Sequence, residues 1–119
     1  MYRLGIKAHF DAAHSLNGYH GDCANLHGHR WEVEVFLTFT ELDESGMAID
    51  FKKVKATLEK LLPDHKYLNN LYDFNPTAEN IAYHLFRELK DRYTALEKVR
   101  VWETPECYAE YDENDPTQL

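Results

Sequence analysis

Trp31-Glu32-Val33-Glu34-Val35-Phe36-Leu37-Thr38-Phe39-Thr40 alternates with a period of two: Trp31, Val33, Val35, Leu37 and Phe39 fall on one face, and Glu32, Glu34, Thr38 and Thr40 on the other. Successive side chains of an extended chain point to opposite sides, so this pattern predicts a strand with one buried face. His27 and His29 lie just upstream and share the odd parity of Trp31. If no bulge intervenes, both imidazoles point to the buried side, with Gly28 between them adding no bulk.

Residues 2–10 carry the same signal. Tyr2, Leu4, Ile6, Ala8 and Phe10 share one face and Arg3, Lys7 and His9 the other, which predicts a second half-buried strand. Continued through Ala12, the parity turns His14 inward. A lone inward histidine is more often a hydrogen-bonded core residue than a ligand. Here a second pair of histidines follows, and three imidazoles from two strands form the usual protein ligand set of a catalytic zinc, with one coordination position open. His14, His27 and His29 are therefore the expected zinc ligands. Cys23, delivered by the turn-rich loop of residues 15–22, brings a thiol within three residues of His27.

The remainder reads as a few short elements. Asp43, Ser45 and Gly46 mark a turn, and Met47-Ala48-Ile49 suggests a short returning strand. Asp50 is placed to cap a helix over about residues 51–62, whose apolar stripe is Phe51, Val54, Leu58, Leu61 and Leu62 and which Pro63 stops. Its lysines, Lys52, Lys53, Lys55 and Lys60, form a solvated face. Asp64 and His65 follow, a carboxylate next to an imidazole that can exchange protons near neutral pH. Adjacency alone does not establish a hydrogen bond between them. Asn75-Pro76-Thr77-Ala78-Glu79-Asn80 reads as a helix start, with a helix to about residue 92 and Ile81, Ala82, Leu85, Phe86 and Leu89 inward. Lys98 to Trp102 predicts a strand in which Glu103 shares the parity of Val99 and Val101. Thr104-Pro105 breaks it, Tyr108 to Tyr111 resume it, and residues 112–119 read as a flexible tail. The order predicts one α+β domain, with two helices on one face of an antiparallel sheet.

Composition limits the possible functions. The chain has 119 residues, 44% of them hydrophobic, with 13 basic against 21 acidic residues for a net charge of −8. One domain is expected at this length. The acidity argues against a sequence-independent nucleic-acid binder. No apolar run approaches a membrane span, and Met1-Tyr2-Arg3-Leu4-Gly5 lacks a signal-peptide core. A cytoplasmic protein with Cys23 and Cys107 unbridged is the expectation.

Several separated motifs, spread over roughly residues 5 to 111, resemble the 6-pyruvoyl-tetrahydropterin synthase family. They are Phe10-Asp11-Ala12-Ala13-His14, Cys23-x3-His27-Gly28-His29, Ile49-Asp50-Phe51, Asp64-His65 with Leu68-Asn69, Pro76-Thr77-Ala78-Glu79-Asn80 and Glu103-Thr104-Pro105. The three-residue interval after Cys23 is similar to that of the carboxy-forming, queuosine-pathway branch. Pro63 stands where that family has a leucine before Asp-His. The resemblance implies a T-fold (tunnelling fold), with sheets closed into an oligomeric barrel, trimers stacked as a hexamer, and sites between subunits. It implies conversion of 7,8-dihydroneopterin triphosphate to 6-carboxy-5,6,7,8-tetrahydropterin with release of acetaldehyde and triphosphate, in 7-deazapurine (queuosine) biosynthesis.

Carried onto this chain, the family's pattern makes Cys23 the base and makes Asp64 and His65 a proton-carrying pair. Glu103 grips the 2-amino and N3–H edge of the pterin and joins the relay, while Thr77 and Glu79 are secondary contacts to the ring. Zinc on three neutral imidazoles keeps its charge and acidifies the substrate's side chain. A thiolate is favoured beside a metal or imidazolium. Three other functions compete: a pyruvoyl-forming synthase that stops after triphosphate loss, a non-enzymatic pterin- or purine-binding module with structural zinc, and a zinc hydrolase. The hydrolase leaves Cys23 without a role and lacks an HExxH-like helix.

Overall fold

The computed structural model describes residues 1–18, 21 and 24–114. The alternation of the first strand continues unbroken through Tyr2–His14 (β1). It pairs antiparallel with His27–Phe39 (β2), in a register running from Tyr2 opposite Phe39 to His14 opposite His27. The even residues of β1 from Ile6 to His14 and the odd residues of β2 from Trp31 to Leu37 are buried together. A slip of one residue would turn this whole set to the other face, so burial fixes the register.

Two further strands extend the sheet. Leu96–Thr104 (β4) runs antiparallel to β2, and Cys107–Asp112 (β5) turns straight back along β4. Residues 108–111 therefore do not resume the preceding strand in line. The chain reverses at Thr104–Cys107, where the Glu106 amide donates to Thr104 Oγ1 at 3.3 Å. Asp112 belongs to β5 and pairs with Lys98, and Glu113 and Asn114 are exposed. The rest of the expected tail lies outside the described residues. The two-residue strand Lys66–Tyr67 (β3) adds to the other side, parallel to β1 at Ala12 and Ala13. The order is β3-β1-β2-β4-β5. The sheet is thus antiparallel among its four long strands and mixed once β3 is included.

Among the described residues three helices replace the two expected. Phe51–Leu61 (α1) begins where predicted, with Asp50 Oδ1 accepting from the Lys52 amide at 2.9 Å. Val54 and Leu58 are buried and the four lysines are exposed. Phe51 departs from the expected stripe: it is 57% exposed. It stands at the first turn, beside a cavity of about 440 Å³ that Tyr2, Leu42, Met47 and Ile49 also line. Met47-Ala48-Ile49 forms no strand. The Asp43 carboxylate instead accepts from the amides of Ser45 and Met47, and the Asp43 amide donates back to the Met47 carbonyl at 2.8 Å. Leu68–Leu71 (α2) is a single turn that periodicity could not reveal. Ala78–Lys90 (α3) is capped by Thr77 Oγ1, which accepts from the Asn80 amide at 3.1 Å. Its five predicted inward residues are buried.

Both helical faces pack on the side of the sheet that carries Phe10, Trp31 and Val99, around one contiguous hydrophobic cluster. The sheet is open at both ends. Among the described residues β1 has a strand partner on its outer side only at Ala12 and Ala13. No helix of the described residues is long and apolar enough to cross a membrane.

Asp50 supplies a side-chain cap at the start of α1, and losing such a cap costs about 1 kcal/mol. Asp50→Ala should lower the urea midpoint by a corresponding amount at fixed protein concentration.

Candidate active site

The ends of β1 and β2 deliver three imidazoles to one place. His14 and His27 are opposite each other in the ladder and His29 is opposite Ala12. Their ring centroids lie 4.5 Å (14–27), 5.2 Å (14–29) and 4.7 Å (27–29) apart, with planes at 60–87° to one another. One nitrogen from each ring falls within 4.8 Å of the other two. Trp31 floors the cluster, its indole edge-on to His14 and His29, with Nε1 donating to the Ala12 carbonyl at 3.3 Å.

The hydrogen bonds decide which nitrogens are bare. His14 Nδ1 lies 2.8 Å from the Pro76 carbonyl, and His27 Nδ1 lies 2.7 Å from the Asn25 carbonyl. A carbonyl only accepts, so both Nδ1 atoms carry the proton in the neutral rings. Both Nε2 atoms then present lone pairs, and they face each other at 3.0 Å. Two lone pairs at that distance repel unless a proton or a cation sits between them. Burial, the largest influence, lowers the pKa of His14, which disfavours the proton. His29 Nε2 is buried without a hydrogen-bond partner among the described residues. An orphaned nitrogen next to two opposed lone pairs is what a divalent cation satisfies, and imidazoles that ligate a metal commonly donate their other N–H to a backbone carbonyl, as these two do. The three residues fit the expected metal. Their neutral donor set suits zinc without fixing the ion.

Glu103 lies at the end of β4, beside an irregularity in its pairing with β5. Its Oε1 is 3.6 Å from His29 Nε2, too far for a hydrogen bond. Burial depresses the His29 pKa more than this carboxylate raises it.

Asp64 and His65 occupy the turn between α1 and β3. His65 Nδ1 is 2.9 Å from Asp64 Oδ2, the contact that adjacency alone left open. His65 sits at φ 57°, the left-handed region that a non-glycine residue rarely adopts. The Asp64 carboxyl is held below the ordinary carboxylate range, chiefly by the Asp11 amide that donates to it. The pair stands on the Asp11 side of the sheet and is exposed, whereas the three histidines stand on the helix side.

The other expected residues are less closely gathered. Thr77 is engaged as the α3 cap next to Pro76, whose carbonyl holds His14. Glu79 is exposed in the first turn of α3. Cys23 lies outside the described residues. Two asparagines from the quoted motifs have roles that spacing did not reveal. Asn69 accepts from the Ser15 amide and donates to the Ser15 carbonyl, both at 2.8 Å. Asn75 does the same for Asn17, at 3.0 and 3.3 Å. Each amide imitates a strand rung and fastens the chain leaving His14.

A family profile described as 6-pyruvoyl tetrahydropterin synthase matches residues 3–114. The chain belongs to this family of enzymes. It is 32% identical to the 6-carboxy-5,6,7,8-tetrahydropterin synthase of Haemophilus influenzae, over 95% of this chain and 100% of that one. It is 37% identical to the protein of the same name from Synechocystis, over 93% of each. Among solved structures it superposes on the 6-pyruvoyl tetrahydropterin synthase of Caenorhabditis elegans with a TM-score of 0.82 and 29% identity, over 95% of this chain and 96% of that one. The fold is therefore the T-fold of this family, and the sheet of a single chain is unclosed.

The buried histidines set a pH dependence. Ordinary histidine in an unfolded chain titrates near 6.5, and His14 and His29 have lowered values in the fold. As pH falls through 6.5 the unfolded chain takes up protons that these two rings resist, so stability is lost from there down to their depressed values. Metal-free protein should unfold at lower urea at pH 5.5 than at pH 7.5, and His14→Ala should flatten that difference.

Proposed function

We propose that this protein converts 7,8-dihydroneopterin triphosphate to 6-carboxy-5,6,7,8-tetrahydropterin, releasing acetaldehyde and triphosphate, as a step of queuosine biosynthesis. The carrying observation is the histidine cluster, with two anchored rings opposing their lone pairs and a third presenting an orphaned nitrogen. The relatives named for the carboxy-forming activity, at 30–37% identity over most of the chain, favour that product over the pyruvoyl one.

His14, His27 and His29 would hold zinc. When bound, the ion supplies a positive charge that polarises the substrate's side-chain oxygens and acidifies the neighbouring carbons. Every other task falls to the chain itself. Trp31 and the carbonyls of Pro76 and Asn25 keep the imidazoles oriented. Cys23 takes a proton from the side chain as thiolate. His65 carries protons between substrate positions, its ring aimed by Asp64. Glu103 accepts two parallel N–H donors from the pterin edge. Thr77, through its hydroxyl, and Glu79 contact the ring.

The placement of His65 beside Asp11, on the face opposite His14, supports a site shared between copies. A trimer-based barrel, stacked as a hexamer, supplies a second copy's His65 and covers the bare edges of the sheet. A single T-fold domain in the cytoplasm, where Cys23 stays reduced, completes the proposal.

Incubation with 7,8-dihydroneopterin triphosphate followed by mass spectrometry tests the product. Expected are 6-carboxytetrahydropterin and acetaldehyde in equal amounts. Triphosphate with an intact three-carbon side chain would transfer the assignment to the pyruvoyl-forming reaction. Cys23→Ala should lose turnover and retain its metal, and loss of both would make the thiol a ligand.

A further inference from the structure

Asp11 and Arg30 belong to none of the roles above, yet the Asp64–His65 turn is built on them. They face each other across β1 and β2. Arg30 Nε donates to Asp11 Oδ1 at 2.9 Å and Nη2 to Oδ2 at 3.0 Å, a two-pronged pair. The Asp11 main chain holds the turn from both sides. Its amide donates to Asp64 Oδ1 at 2.9 Å, and its carbonyl accepts from the His65 amide at 2.6 Å. These two bonds help retain His65 in a left-handed conformation that non-glycine residues rarely adopt.

The side chains pose a selection problem. One ligand atom each of Asp11, Asp64 and His65 lies within 4.8 Å of the others. Two carboxylates thus stand near one imidazole, and only that of Asp64 is in contact with it, at 2.9 Å from Nδ1. A cation does not explain the cluster, because all four carboxylate oxygens are engaged: both of Asp11 by Arg30, one of Asp64 by the Asp11 amide and one by His65.

We propose that Arg30, acting through Asp11, is a positioning residue for the Asp64–His65 pair. The planar fork takes both Asp11 oxygens and locks that side chain away from His65. Asp64 is left as the one acceptor for His65 Nδ1–H, and its own second oxygen is pinned to the β1 backbone. The direction of His65 Nε2 toward a substrate is thereby single-valued. Without Arg30 the Asp11 carboxylate is free to rotate and compete for the same proton. Arg30 also holds the Asp11 carboxyl below its ordinary range, so the pair persists as ions at neutral pH. The inference rests on the reading of His65 as the proton carrier.

The test compares wild type, Arg30→Ala and the double variant Asp11→Asn/Arg30→Ala as full-length, metal-loaded protein. Arg30→Ala should lower kcat by about tenfold or more with little change in KM, because misaiming a proton carrier costs the chemical step and not binding. The double variant should recover most of that loss, since the neutral amide competes poorly for the proton. A pair that merely staples the strands predicts no recovery. Long-range proton–nitrogen spectra of histidine-labelled protein without substrate give an activity-independent readout, His65 being assigned by its absence in His65→Gln. Its ring-nitrogen shifts should move in Arg30→Ala and return in the double variant. Wild-type kcat with unmoved shifts in Arg30→Ala, or a double variant no better than the single, overturns the proposal. Loss of metal in Arg30→Ala also overturns it, because Arg30 would then be serving His29. Shifts that follow the expected order in a wild type that does not turn over dihydroneopterin triphosphate would keep the positioning and sink the substrate assignment.

Discussion

The register that sets His14 opposite His27 is the constraint on which the rest depends. It is enforced by burial, since Phe10, Ala12, Trp31 and Val33 reach the core only in that alignment. Once enforced, it brings two imidazoles into contact at the end of the ladder, with the third two residues along the same strand. The carbonyls of Pro76 and Asn25 then fix both neutral tautomers, so that the nitrogens left over oppose each other unless a proton or a cation sits between them. The hydrophobic core that holds the sheet together thus also creates the electrostatic demand at its rim.

That rim has two sides. The inner side is more buried, and burial lowers the basicity of His14 and His29, which favours their neutral form at physiological pH. The outer side is wet, and there Asp11, Arg30, Asp64 and His65 form a chain of charged hydrogen bonds around a strained turn. Strand alternation alone produces this division: Asp11 and Ala12 are neighbours in sequence and point to opposite faces. In the proposed reaction the histidine cluster and His65 would be united by bringing another copy's outer side to this chain's inner side. The open sheet edges and the exposed Phe51, Met47 and Leu42 fit such an assembly.

Much of this was legible in the chain. Period-two alternation located β1 and β2 and gave the inward parity of His14, His27 and His29. The stripe and cap located α1, and the five apolar positions of α3 were all buried. Failures came where local pattern carries no information. Met47-Ala48-Ile49 has strand-forming residues, but the Asp43 carboxylate gathers its neighbours into a turn. Phe51 fits the helical stripe, yet lies where the sheet of one chain has run out. β3 and α2 are too short for any period, and the backbone of Ala12 and Ala13, 54 residues away, decides that β3 is a strand at all.

By itself, the sequence determined which residues would be inward, because alternation and burial are set residue by residue along a strand, and it determined the chemistry available at those positions. Only the tertiary structure decided which nitrogens are bare, that Asp64 meets His65, and that Arg30 holds Asp11. Those facts depend on distances between atoms far apart in the chain, and hydrogen-bond energies that fall away within fractions of an ångström leave no trace in spacing or composition.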